Sequence, residues 1–347
     1  MPRPLHGMSR KTCAGSTRAS HCSMSSIATP ATEAKEIRTM KTRKLHDRFG
    51  VEVFDVDLRQ LSAGPQFDEL RSLFEHHSLL LFRDQCMNED VHNDFALLFG
   101  PLEDRDADTA RSVPAARPPV PVLSNKVADR DALFEADSLR VLNLIGNQAW
   151  HTDSTFLHTP ALINVITAYV VPSLGGETEL VSTRAAWKDL PRSTQDRLRD
   201  TVFLHSVLPS RIRVDPALLE LEEVSRYSSQ AWNSVWPNPV TGDLALYIAG
   251  HVYGIRGWGD VEAREFVAEL IDFCTRPEYV YQHVWRRGDV LVWDERATMH
   301  RGRPWPYDEE RTLASCCVSA RDVDGLESVR PVGGPPSIAE QFRYQPD

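Results

Sequence analysis

The chain has 347 residues, 41% hydrophobic and 25% charged, the make-up of a globular protein rather than of a wholly disordered or fibrous one. Asp and Glu total 49 against 39 Lys and Arg, so the formal charge is −10, a poor basis for gripping nucleic acid or an anionic membrane. The longest uncharged stretch, Thr159–Gly176, has an apolar heart of only Ala161–Val171, too short for the roughly 20 residues of a bilayer span.

Residues 1–40 are rich in Ser, Thr, Arg and Ala, carry only Glu33 and Glu36 as acids, and have no apolar period. Such a segment reads first as a disordered tail or upstream-start artefact, and second as an Arg- and Ser-rich targeting peptide. The folded chain is expected to begin near Lys44. Gly50–Leu58 alternates as a strand, Phe67–His77 has helical spacing, and Leu79–Phe82 reads as a buried strand. Asn88–Leu98 returns to a helix that Gly100 and Pro101 stop. Arg105–Pro121 is polar and proline-rich, hence a loop. Beyond it, short strands between turn residues alternate with helical pieces near Arg184–Val202 and Val261–Cys274. Thr159–Gly176 reads as a buried strand, rich in Ile, Val and Tyr. The pattern predicts a mainly β fold with flanking helices, a sandwich or barrel of the jelly-roll kind. The predicted layout is a tail over 1–43, one domain over 44–325 with an insertion over about 184–285 covering the site, and a C-terminal tail over 326–347. Six scattered cysteines, Cys13, Cys22, Cys86, Cys274, Cys316 and Cys317, form no CxxC pair and suggest reduced thiols in a cytoplasmic protein.

The chemistry concentrates at Trp150-His151-Thr152-Asp153. On a strand, residues two apart share a face, so His151 and Asp153 can reach one point. His300, which follows the turn and apolar strand Arg287–Asp294, is the best third donor. Two histidines and one carboxylate on one side of a metal is the arrangement of non-haem Fe(II) oxygenases. His-x-Asp alone is weak, and a hydrogen-bonded polar pair at a strand end is its bland reading; the context decides. Thr178 stands in Gly175-Gly176-Glu177-Thr178. Arg311 opens the strand Arg311–Ala320, whose period of two puts Arg311, Leu313, Ser315, Cys317 and Ser319 on one face. A guanidinium directed into a barrel needs an anionic partner, which a dicarboxylate cosubstrate would supply.

The sequence resembles the taurine/2,4-dichlorophenoxyacetate dioxygenases over residues 45–322, through GVEVFDVDL at 50–58, LLLFRDQ at 79–85, DFALLFGPL at 94–102, WHTDSTF at 150–156, PSLGGETEL at 172–180 and GDVLVWDERATMHRGRPW at 288–305. The resemblance implies a double-stranded β-helix, a cupin-like jelly roll. It implies Fe(II) bound by His151, Asp153 and His300, with O2 and the cosubstrate 2-oxoglutarate. It places the far carboxylate of 2-oxoglutarate on Arg311 and Thr178, and Asn147 in contact with cosubstrate or substrate. The implied reaction hydroxylates a small organic molecule, releasing succinate and CO2. An aryloxyalkanoate cleaved at its ether bond is the first choice; a sulfonate or alkylsulfate, or a natural product to be tailored, comes next. The chain departs from the family at Glu295, where Asn is usual, and at Ser315, where members acting on sulfonates or carboxylates often carry a second Arg. An anionic substrate would then need Arg211, Arg213, His205 or His251, each of which reads first as a solvated or core-satisfied side chain. Trp232, Trp236, Tyr253 and Trp258 either line a hydrophobic pocket or pack the insertion. Expected partners are a small-molecule substrate and further copies of the chain, with neither nucleic acid nor membrane. A zinc or manganese cupin-like isomerase or hydrolase could use the same three donors but would have no use for Arg311 with Thr178. A retired barrel serving as a binding module would normally have lost a donor.

Overall fold

A computed structural model describes residues 39–105 and 117–341. The predicted tail up to residue 38, Cys13 and Cys22, and the loop residues 106–116 lie outside the described residues. The folded chain starts slightly earlier than the sequence suggests, because Thr42–Lys44 already forms a strand.

Fifteen strands make four sheets among the described residues. The largest has seven strands in the order β1 (Thr42–Lys44), β2 (Val51–Val53), β3 (Leu79–Phe82), β13 (Val290–Asp294), β5 (Ala161–Val170), β15 (Thr312–Ser319) and β4 (Val122–Ser124). All its neighbours are antiparallel except β2 and β3. A second sheet has the order β12 (Val280–His283), β6 (Thr178–Ser182), β14 (Thr298–Gly302).

Both faces of the large sheet are apolar, and alternation sorts its side chains. Leu80, Phe82, Val290, Val292, Val165 and Val318 pack on α1 (Pro65–His77) and α2 (Glu89–Leu97), whose Phe67, Phe74, Phe95 and neighbouring Phe99 meet edge to face. Leu79, Leu81, Ile166, Leu291, Trp293 and Leu313 point the other way and cluster with Leu180 of the three-stranded sheet. The outer side of that second sheet, through Val181 and Met299, is covered by the chain between them. This cover comprises helices Thr183–Asp189, Arg192–Arg199 and Asp260–Cys274, the sheet β11 (Val252–Ile255), β7 (Val202–His205), β8 (Gln230–Asn233), and the pair β9 (Val235–Pro237), β10 (Leu244–Leu246). A buried ionic cluster of Glu75, Asp294 and Arg296 ties α1 to the end of β13.

Three boundaries differ from expectation. The strand over Gly50–Leu58 stops at Val53, because Asp55 takes a left-handed backbone conformation (φ 61°) that ends pairing. The insertion stops before residue 280, since β12 pairs with β6 and belongs to the scaffold. The predicted C-terminal tail begins inside the fold: Leu326 and Val329 are buried in the main core, and Asn233 donates to the carbonyls of Ser328 and Arg330, while residues 342–347 lie outside the described residues. Among the described residues no helix is long and apolar enough to cross a membrane.

Candidate metal and cosubstrate site

His151 forms an isolated bridge with His300 of β14, and Asp153 stands in the turn that follows, so the strand expected through both residues is not formed. The two histidines are joined by their backbones: His151 N–H donates to the His300 carbonyl at 2.9 Å, and His300 N–H donates to the His151 carbonyl at 2.8 Å. Their rings are 4.2 Å apart, and each Nε2 is 3.7 Å from an oxygen of Asp153, His151 facing Oδ1 and His300 facing Oδ2. One donor atom from each of the three residues lies within 4.8 Å of the others. His151 Nδ1 sits 2.8 Å from the Ala149 carbonyl, which assigns the proton to Nδ1 and leaves the Nε2 lone pair facing inward.

Burial holds both imidazoles below their ordinary pKa, with His300 lowered to about 3. Burial alone would raise Asp153, but the adjoining imidazoles, Arg105 and the Asn164 amide outweigh it and the carboxyl is held below the usual range. Two neutral imidazoles and one carboxylate form a ready-deprotonated donor set, as a divalent metal requires. The donor types suit Fe(II), so the residues present fit the metal.

The carboxylate is fixed by partners the sequence reading missed. Asn164 Nδ2 donates to Asp153 Oδ2 at 2.7 Å, and Ser315 donates its hydroxyl to Asn164 Oδ1 at 2.9 Å. A lone Asn in the otherwise apolar run Ala161–Ile166 was the available signal, since a buried amide is found where it has a partner. Glu295 is fully buried, accepting from the Asp153 backbone N–H at 2.9 Å and from Trp293 Nε1 at 2.6 Å. Burial and the Asp153 charge push its carboxyl well above the usual range.

These groups open onto a cavity of about 380 Å³, within the usual size of a small-molecule site. Arg311 and Thr178 line it, as do Asn147, Ser315, Arg211 and His251. The Arg311 guanidinium is buried, donates from Nε to the Gly176 carbonyl at 3.1 Å, lies over Trp305, and forms no ion pair among the described residues. Burial lowers its pKa to about 10, which leaves it charged at neutral pH. Thr178 Oγ accepts from Trp285 Nε1 at 3.0 Å, so its own proton is free to be donated. An unpaired cation beside an unspent hydroxyl donor fits a carboxylate. Gly176 is needed at this place, because it has φ +71° and a Cβ there would stand 3.0 Å from Arg311 Nε.

Other sequence candidates fall elsewhere. Arg213 is exposed and donates to the Gly250 carbonyl, and His205 is buried behind the cavity beside Tyr247. Trp232, Trp236, Tyr253 and Trp258 do not line it; Trp232 and Trp236 belong to the main core. The apolar lining comes instead from Phe156, Ile166, Trp293, Trp305 and Leu313.

A mainly β scaffold with two neutral histidines and a carboxylate facing a cavity fits the donor set of a mononuclear non-haem metal site. Residues 41–317 match the taurine catabolism dioxygenase TauD, TfdA family, and the chain belongs to it. It is 32% identical over 275 residues to the alpha-ketoglutarate-dependent 2,4-dichlorophenoxyacetate dioxygenase of Cupriavidus pinatubonensis (strain JMP 134), covering 78% of this chain and 94% of that protein. It is 29% identical over 274 residues to the (S)-phenoxypropionate/alpha-ketoglutarate-dioxygenase of Sphingobium herbicidovorans, covering 76% and 90%. The crystal structure of AAD-2 in complex with Mn(II) and N-oxalylglycine superposes with a TM-score of 0.75 at 30% identity, over 82% of this chain and 98% of that one. The protein is therefore an oxidoreductase, a dioxygenase that uses Fe(II), 2-oxoglutarate and O2.

Proposed function

We propose that this dioxygenase cleaves an aryloxyalkanoate at its ether bond. The likeness to a 2,4-dichlorophenoxyacetate dioxygenase over 94% of that protein's length carries the reading. The aromatic and aliphatic lining of the cavity supports it. Fe(II), when bound with 2-oxoglutarate and O2, supplies oxidation of an unactivated C–H bond while the cosubstrate becomes succinate and CO2. One oxygen atom enters the C–H bond beside the ether oxygen and the other enters succinate. The hemiacetal carbon so formed expels a phenol and leaves an aldehyde or keto acid.

The chain's own residues have distinct parts. His151, Asp153 and His300 hold the metal, with Asn164 and the Glu295 carboxyl fixing the angle of Asp153. Arg311 and Thr178 take the far carboxylate of 2-oxoglutarate, a charge-assisted contact in a dry wall. Phe156, Trp293 and Ile166 exclude water from the reacting carbon. The Leu180 cluster shared by the two sheets supports reading them as a double-stranded β-helix around this site. The free thiols Cys86, Cys274, Cys316 and Cys317 favour a reducing, cytoplasmic setting.

The test is a panel of aryloxyacetates, aryloxypropionates, alkyl sulfates and taurine given to the purified enzyme with Fe(II), 2-oxoglutarate and O2. Phenol and succinate in a one-to-one ratio from the aryloxyalkanoates is the expected result. Phenol-free succinate release from taurine or an alkyl sulfate alone would overturn the substrate assignment.

A further inference from the structure

Five guanidinium groups of the described residues border the cavity. Arg105 pairs with Glu103, Arg140 donates to the Val122 carbonyl, and Arg226 donates to the Tyr227 hydroxyl and lies over its ring. Arg311 has the part given above. Arg211 is the one without an assignment.

Arg211 comes from the short helix Leu208–Ile212 of the covering layer, whereas the metal donors and Arg311 come from β14, the residue ahead of β15 and the chain before β5. It forms no ion pair among the described residues, and its Nε is shut away from solvent with no acceptor. Its fork is nevertheless aimed. Nη2 donates to Asn147 Oδ1 at 2.7 Å, and Nη1 lies against Gly146, where a Cβ would stand only 2.5 Å away. The missing side chain at residue 146 is the slot that admits the guanidinium. Its charge is felt at Asp153, His151 and His251, which places it on the metal side of the cavity. Meanwhile the sheet offers no second cation beside Arg311, because Ser315 is neutral and its hydroxyl is committed to Asn164.

A cation aimed into a cavity without a counter-charge is costly unless an anion arrives to pair with it. We propose that Arg211, seated on Gly146 and oriented by Asn147, takes the anionic end of the primary substrate, a carboxylate or a sulfate. The proposal rests on the dioxygenase reading and deepens it. It makes Asn147 a positioning residue for Arg211, where the family resemblance would have it touch the cosubstrate or the substrate itself. It also moves the specificity determinant from the sheet to the covering layer.

The experiment compares an aryloxyacetate with the neutral aryloxyethanol of the same skeleton, in the iron-loaded enzyme. Arg211→Ala should raise KM for the carboxylate roughly ten- to a hundredfold, leave KM for 2-oxoglutarate nearly unchanged, and abolish the preference over the alcohol. Calorimetric binding of the same carboxylate without O2 should weaken by a similar factor. Arg211→Lys should recover part of the loss, because it restores charge without the fork. Gly146→Ala, which keeps the charge but displaces the fork, should raise KM for the carboxylate in the same direction. Turnover of alkyl sulfates that also depends on Arg211 would identify sulfate as the native anion. An unchanged carboxylate KM in folded Arg211→Ala, or an increase confined to 2-oxoglutarate, would overturn this assignment while leaving the dioxygenase reading intact. A wild-type enzyme that consumes 2-oxoglutarate yet accepts no anionic member of the panel would overturn both this assignment and the aryloxyalkanoate reading, with the dioxygenase class still standing.

Discussion

Under the proposed assignment each of the three metal donors would be irreplaceable by its neighbours, since a single carboxylate and two imidazoles make the whole candidate donor set among the described residues. His151→Ala, Asp153→Ala and His300→Ala are each expected to abolish succinate formation while the melting temperature stays close to that of the parent. Substantial turnover by His300→Ala at saturating iron would remove it from the donor set. Arg311 presents a different case, because its loss affects one ligand only. Arg311→Ala should raise KM for 2-oxoglutarate roughly ten- to a hundredfold, far more than for the primary substrate, as loss of a charge-assisted pair requires. Thr178→Ala should act in the same direction but less, because it removes a neutral hydroxyl. A larger effect from Thr178→Ala than from Arg311→Ala would contradict the anion site.

At the scale of the strand, β15 shows what the sequence can reveal and what it hides. Its period of two put Arg311, Leu313, Ser315, Cys317 and Ser319 on one face; the first four line the cavity, whereas Ser319 does not and Cys316 of the other face does. The partner of Ser315 was not legible, because it depends on the register between β15 and β5, which brings Ser315 opposite Ile166 and Cys317 opposite Asn164. Two residues with no sequence relation thus join in the chain Ser315–Asn164–Asp153. The covering layer was less legible still. Arg211 and Arg213 are two residues apart, yet one enters the cavity and the other is exposed, and a five-residue helix has too few turns to show a period. The strand-level prediction follows from the hydrogen-bonded chain. Asn164→Leu should weaken iron binding roughly ten- to a hundredfold in a titration of the metal-free protein, the usual effect of removing a ligand's orienting partner. Ser315→Arg should reduce iron affinity as well as substrate affinity, because it takes the hydroxyl from Asn164 and adds an unpaired charge. An effect on substrate alone would mean that Asn164 holds Asp153 without help from Ser315.

Across the whole molecule, the buried histidines set the acid limit of stability. Burial lowers His92 to about 4 and His205 to about 3, against 6.5 in the unfolded chain. The unfolded chain therefore binds protons more readily than the fold between those values. The stability is complete above about pH 6.5 and is lost as pH falls, by ~1.4 kcal/mol per unit for each ring, until the folded values are reached. Neither ring nitrogen of His205 has a hydrogen-bond partner. His205→Phe should accordingly cost little at pH 8 and flatten the fall in melting temperature between pH 6.5 and 4. An unchanged slope in that variant would show that other groups set the acid limit.

The reciprocal main-chain hydrogen bonds between residues 151 and 300 have an experimental consequence. They use only backbone atoms, so truncating either side chain leaves the frame of the site standing. In His300→Ala the result would be a ring-shaped vacancy beneath Trp293, whose indole lies 4.7 Å from the native imidazole. Such a vacancy can be refilled from solution. Free imidazole is expected to restore part of the turnover of His300→Ala by occupying the space of the absent ring, and to do nothing for Asp153→Ala, whose lost group it cannot imitate.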